Sequence, residues 1–132
     1  GGKRLRDARR DGPNYYAPTV LVNADATMEC SCEETFGPVV PVTRFESEAD
    51  VIAAANDTPF GLCAGICTNS LKHAMHFRRH AVVGMTMVNL PTAGVDFHVP
   101  FGGRKGSGYG PREQGRHAAE FYTTVKTGYM LA

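Results

Sequence analysis

Gly61-Leu-Cys-Ala-Gly-Ile-Cys-Thr-Asn-Ser-Leu-Lys-His-Ala-Met-His-Phe-Arg-Arg-His-Ala-Val-Val-Gly-Met-Thr-Met-Val-Asn89 changes its hydrophobic period twice. Gly61 to Thr68 is small and apolar, as suits a strand buried on both faces. A helix is expected from Thr68 or Asn69. It places Leu71, Ala74, Met75, Phe77 and Ala81 on one face and Lys72, His73, His76, Arg79 and His80 on the other. Val82 to Asn89 then returns to a strand pattern. Strand, amphipathic helix and strand in succession are the signature of a βαβ crossover, so the expected class is α/β, a mostly parallel sheet flanked by helices.

Outward from that stretch the alternation continues. Val39 to Phe45 reads as another strand, with Pro41 marking an edge or an irregularity. Ser47-Glu-Ala-Asp50 opens a helix with a capping-box pattern. Val51, Ile52 and Ala53 to Ala55 supply its buried stripe, and Asn56-Asp-Thr-Pro59 ends it. Pro18 to Val22 is a short strand candidate, and residues 1–16 form a polar loop or surface ribbon. Downstream, a Gly-rich loop spans residues 100–110, a short helix runs from Pro111 to Ala119, and Phe121 to Tyr129 reads as an exposed strand. An end strand with unpaired edges invites pairing with another chain.

Bulk properties exclude several function classes. At 132 residues the chain is one domain's worth, expected to bury roughly two thirds of its unfolded surface. A net charge of +1 creates no global field for nucleic acid or an anionic membrane, so neither is an expected partner. Apolar runs are short and broken by Gly, Asn or Pro, and the basic N-terminus has no apolar segment behind it to act as a signal peptide. Cys30, Cys32, Cys63 and Cys67 are expected to be reduced thiols in a cytoplasmic protein. Their C-x-C and C-x3-C spacings are not zinc knuckles, and the histidines of the helix stand among Lys and Arg, where like charge opposes a cation. No metal site is expected.

Two motifs carry chemistry. Pro100-Phe-Gly-Gly-Arg-Lys-Gly-Ser-Gly-Tyr-Gly110 lacks both G-K-[ST] and G-x-G-x-x-G, and it does not follow a strand. It therefore fails as a phosphate cradle, and its glycines are expected to let backbone pack on backbone. Glu33-Glu-Thr-Phe-Gly-Pro38 is either an exposed acidic loop or a site where a carboxylate accepts from a diol such as ribose while the ring holds a planar group.

Taken in order, Gly-Gly-Lys-Arg-Leu5, Tyr16-Ala-Pro-Thr-Val-Leu21, Glu33-Glu-Thr-Phe-Gly-Pro-Val39, Ala55-Asn-Asp-Thr-Pro-Phe-Gly-Leu62, Val88-Asn89, Pro100 to Gly108 and Phe121-Tyr-Thr-Thr-Val-Lys-Thr127 resemble the C-terminal part of the aldehyde dehydrogenase superfamily. The resemblance covers essentially the whole chain. Asn89-Leu-Pro-Thr-Ala-Gly-Val-Asp-Phe-His-Val99 looks most like the semialdehyde branch, in particular α-ketoglutaric semialdehyde dehydrogenases.

The resemblance implies roles. Glu34 matches the carboxylate that binds the nicotinamide ribose, and Phe36 the aromatic that positions the nicotinamide. Phe101 matches a ring lining the aldehyde channel, with Pro91, Thr92 and Val95 in the loop that sets substrate size and polarity. The coenzyme would be NAD or NADP. Residues 1–110 would belong to the catalytic domain, and residues 111–132 to the helix and terminal strand of an oligomerisation arm joining a homo-oligomer.

In this family a cysteine thiolate attacks the aldehyde to give a thiohemiacetal. Hydride leaves for NAD(P)+, and activated water hydrolyses the thioester. The matching cysteine lies upstream of the resemblance. None of Cys30, Cys32, Cys63 and Cys67 corresponds to it, so this chain holds no catalytic residue of its own and is expected to be inactive alone. A non-catalytic module that associates through its terminal strand, and a Cys/His metal-binding domain, are the competing readings.

Overall fold

A computed structural model of the chain describes residues 2–4 and 15–132. The expectations for residues 5–14 of the N-terminal ribbon lie outside the described residues. The chain divides into two compact units, Gly1–Arg44 and Phe45–Ala132.

The first unit has little regular structure. An isolated antiparallel bridge joins Arg4 to Tyr16, with the Ala17 amide donating to the Lys3 carbonyl at 2.9 Å. The sequence did not foretell α1 (Glu29–Cys32). An Asx turn leads into it: the Asp25 carboxylate accepts from the Thr27 hydroxyl at 2.6 Å and the Thr27 amide at 2.8 Å. Those bonds, the hydroxyl's first, hold the Asp25 carboxyl below its usual range. The strands expected at Pro18 to Val22 and Val39 to Phe45 do not form. Their β-branched composition is real, but no neighbouring segment among the described residues offers the ladder that a strand requires.

The second unit carries the βαβ crossover. The helix α2 (Glu48–Asn56) starts where the capping pattern placed it, with the Ser47 hydroxyl accepting from the Asp50 amide at 3.1 Å and donating to the Asp50 carboxylate at 2.6 Å. Such a cap stabilises a helix by about 1 kcal/mol. Strands β1 (Cys63–Ile66) and β2 (Met85–Val88) pair in parallel, Cys63 opposite Met85 and Ile66 opposite Val88, on either side of α3 (Leu71–His80).

The helix α3 begins later than Thr68 because that residue is otherwise engaged. Its amide donates to the Asn89 side-chain oxygen at 2.8 Å, its carbonyl accepts from the Asn89 side-chain nitrogen at 2.9 Å, and Ser70 becomes the cap.

Burial falls short of what composition implied. Among the described apolar side chains only Ala74 and Phe77 are buried, each 7% exposed. Leu71 and Met75 are exposed, and Val51 and Ile52 are half-buried while Ala53 to Ala55 are exposed. Strand β1 is half-buried, with Gly65 exposed, and not covered on both faces. A two-stranded sheet has too little area to close a core.

The polar face of α3 is also not wholly solvated. Glu48 on α2 receives it, with carboxylate oxygens 2.9 Å from His73 Nδ1 and 3.1 Å from His76 Nδ1. The ring of His80 lies tilted against that of His76, 4.1 Å between centroids.

The C-terminal region departs furthest from expectation. The helix expected over Pro111 to Ala119 is displaced. A 3-10 turn at Gly115–His117 leads into α4 (Ala118–Tyr122), because Glu113 is already paired with Phe101 and Gln114 adopts a left-handed φ of 67°. The expected strand over Phe121 to Tyr129 does not form: α4 takes up Phe121 and Tyr122, and residues 123–132 bear no ladder. Thr123, which ends α4, is extended, at φ −129° and ψ 161°.

Candidate functional site

In the first unit, α1 ends at Cys32 and the chain turns through Glu33-Glu-Thr-Phe-Gly-Pro38. Phe36 sits at a left-handed φ of 50°, which is uncommon for a bulky residue, and its ring is 91% exposed. Cys30, Ser31, Glu33, Glu34, Phe36 and Pro41 are among the residues that line an open hollow of about 470 Å³. Glu34 and Phe36 are thus brought together on one surface, an exposed carboxylate beside an outward ring. An ionised carboxylate is an acceptor only, and two adjacent hydroxyls can bind it at once. The pair offers an acceptor to a diol and a flat face to a planar group.

In the second unit, the Gly-rich loop is built against the crossover. Phe101 and Glu113 exchange backbone hydrogen bonds of 2.8 and 2.9 Å, which pins the Phe101 main chain, and the residue is half-buried. The Arg112 guanidinium donates to the Gly103 carbonyl at 2.6 Å. The expectation that backbone packs on backbone holds: a β-carbon on Gly84 would collide with the Gly102 carbonyl, and one on Gly103 with that of Ser107.

The loop carrying Pro91, Thr92 and Val95 leaves β2 and returns beside the same support, where the Gly115 amide donates to the Phe97 carbonyl at 3.2 Å. Thr92 packs its methyl over β1, 3.2 Å from where a Gly65 β-carbon would lie. Pro91 and Thr92 are exposed and Val95 is half-buried.

Two of the four cysteines are held by their surroundings. Burial pushes the Cys63 thiol up, which disfavours the thiolate that a nucleophile needs. Cys32 donates its S–H to the Ala26 carbonyl at 2.8 Å. Among the described residues no three His, Cys, Asp or Glu side chains converge to hold a metal ion, and no helix is long and apolar enough to cross a membrane.

Residues that sequence reasoning passed over are the ones that hold the Gly-rich loop: Lys105, Ser107, Arg112 and Glu113. Their spacing gave no signal, since polar and charged residues in and beside a glycine run read as solvated. Only the long-range bonds reveal them.

With this geometry in hand, similarity to known proteins becomes specific. The aldehyde dehydrogenase family profile matches residues 1–128. An α-ketoglutaric semialdehyde dehydrogenase of Bacillus subtilis is 34% identical over 130 residues, which is 98% of this chain and 27% of that protein. An NADP+-dependent succinate-semialdehyde dehydrogenase of Escherichia coli is 42% identical over 127 residues, 96% of this chain and 25% of that protein. Among solved structures, an indole-3-acetaldehyde dehydrogenase of P. syringae, bound to NAD+, superposes with a TM-score of 0.72 at 38% identity. That match covers 79% of this chain and 21% of the other. The chain therefore spans about a quarter of the length of the curated relatives it matches.

Proposed function

The chain belongs to the aldehyde dehydrogenase family, and from that premise we propose that it forms one wall of the cleft in which a nicotinamide-dependent enzyme oxidises an aldehyde, a semialdehyde by preference, to the carboxylate. The observation that carries this reading is the shared hollow of Glu34 and Phe36.

The Glu34 carboxylate accepts hydrogen bonds from the ribose hydroxyls and fixes the sugar. Phe36 supplies a flat apolar surface that orients the nicotinamide. When bound, NAD or NADP supplies the acceptor for the hydride. Phe101 lines the channel through which the aldehyde approaches, and Pro91, Thr92 and Val95 set its width and polarity. Held between ring and loop, the substrate loses rotational freedom and bulk water before the chemistry begins.

None of Cys30, Cys32, Cys63 and Cys67 is the nucleophile in this reading. The attacking thiol and the dinucleotide-binding fold come from residues outside the 132, and the isolated chain turns nothing over. The sparse core supports the same view, because half-buried β1 and β2 are completed by the rest of the enzyme. Residues 111–132 act as the association arm, whose extended end becomes a strand when a partner subunit's sheet accepts it. The enzyme works in the cytoplasm.

The test is Glu34→Gln in the longer protein that contains this chain. Coenzyme affinity should fall and hydride transfer should slow, since a neutral amide accepts the ribose hydroxyls less strongly. Unchanged coenzyme affinity and rate would remove the assignment. Nicotinamide reduction by the isolated 132-residue chain would overturn the incomplete cleft itself.

A further inference from the structure

We propose that Lys105 is a positioning residue: its ammonium clamps the Gly-rich loop onto the C-terminal end of α2 and thereby fixes the Phe101 ring. The inference rests on the reading of Phe101 as a wall of the aldehyde channel.

The Lys105 Nζ donates to the Asn56 carbonyl at 2.7 Å and to the Thr58 carbonyl at 3.0 Å. These carbonyls lie at the negative end of α2, whose last turn has no basic residue of its own. Lys105 brings the missing cation from 49 residues away. Two of its three donors are thereby committed, which leaves little for a phosphate ligand.

Lys105 sits at a left-handed φ of 51°, where a lysine seldom settles without cause.

Neighbouring residues tighten the same grip. The Gly106 amide donates to the Pro59 carbonyl at 2.9 Å, the Ser107 hydroxyl accepts from the Gly61 amide at 3.0 Å, and the Arg104 amide donates to the Gly61 carbonyl at 2.8 Å. On its other flank the loop is tied by the Phe101–Glu113 pair and by Arg112. Phe101 therefore stands at one anchored flank of a loop whose other flank is held at Lys105. Lys105 is the side-chain anchor that connects the loop to a helix end. Without its ammonium one flank loosens and the ring tilts.

The experiment compares Lys105→Met and Lys105→Arg with the parent in the longer protein that contains this chain. Two readouts are needed: amide hydrogen exchange at Gly106 and Ser107, and kcat/KM for a short and a long aldehyde beside the coenzyme KM. Lys105→Met should speed the exchange and shift the ratio between the two aldehydes on the order of tenfold, with the coenzyme KM unchanged. Lys105→Arg should restore most of both. Unchanged exchange would overturn the clamp. Faster exchange with an unchanged aldehyde ratio, or with aldehyde and coenzyme constants moving together, would reduce Lys105 to a merely structural bond and overturn positioning. A parent that oxidises no aldehyde would sink the functional reading and positioning with it, while the exchange data still decide whether the clamp exists.

Discussion

The Gly-rich loop and the C-terminal segment are built from opposite materials and behave opposite to their composition. Residues 100–110 hold glycine at five of eleven positions, the composition of a floppy linker. They are nonetheless tied by Lys105, Ser107, Arg112 and the Phe101–Glu113 pair to three other segments of their unit. Residues 123–132 hold three Thr, a Val and a Tyr, types that favour strands, and Val125 is 98% exposed. Propensity describes what a residue tolerates, and hydrogen-bond partners decide what it does. Glycine is what lets the loop find partners, because two main chains can approach only where no β-carbon intervenes.

The sharpest way to break this contrast is Gly84→Ala. Its β-carbon would collide with the Gly102 carbonyl, a stiff backbone atom, so unfolding should come earlier by about 1–3 kcal/mol. Urea denaturation with an unmoved midpoint would mean that the loop is not packed on the crossover.

A smaller effect is expected at the other end of α2. The hydrogen bond from His73 chiefly, with the His76 ring 3.1 Å away adding to it, holds the Glu48 carboxyl below its ordinary range against the opposing effect of burial. A lowered carboxyl pKa stabilises the fold above the unfolded-state value, and that gain is lost as the pH falls through the folded-state value. Glu48→Gln should therefore lower the melting temperature at neutral pH, and the gap from the parent should close under acid conditions. A gap that stays constant from neutral to acid pH would show that the charge is irrelevant. The smallest effect belongs to the tail: Val125→Ala should alter stability by no more than about 0.5 kcal/mol. A larger loss in the same denaturation series would mean that the segment already has a partner.

The sequence disclosed the crossover because its signals were local. Ser47 and Asp50 sit three apart, and α3 puts Ala74 and Phe77 on the face that is buried. The segments around Val20, Val42 and Val125 misled because a strand is a relation between two segments, and composition reports only one of them. Glu34 and Phe36 were legible as neighbours through their spacing, and the structure does set them in one hollow. Lys105, Arg112 and Glu113 were illegible, since each acts through a backbone carbonyl or amide whose position no spacing rule encodes.

Asn89 carries a consequence for how the protein ages. Its side chain, on a residue at φ 56°, takes both places that a main-chain neighbour would fill at Thr68. A carboxamide alone can donate and accept at once in that position. Slow deamidation to aspartate would retain the acceptor and set a charged oxygen against the Thr68 carbonyl. Oxygen would then oppose oxygen where the β1 side of the crossover meets the start of α3. Stored material that gains this lesion should open there first, turning the last rung of the sheet into a clock.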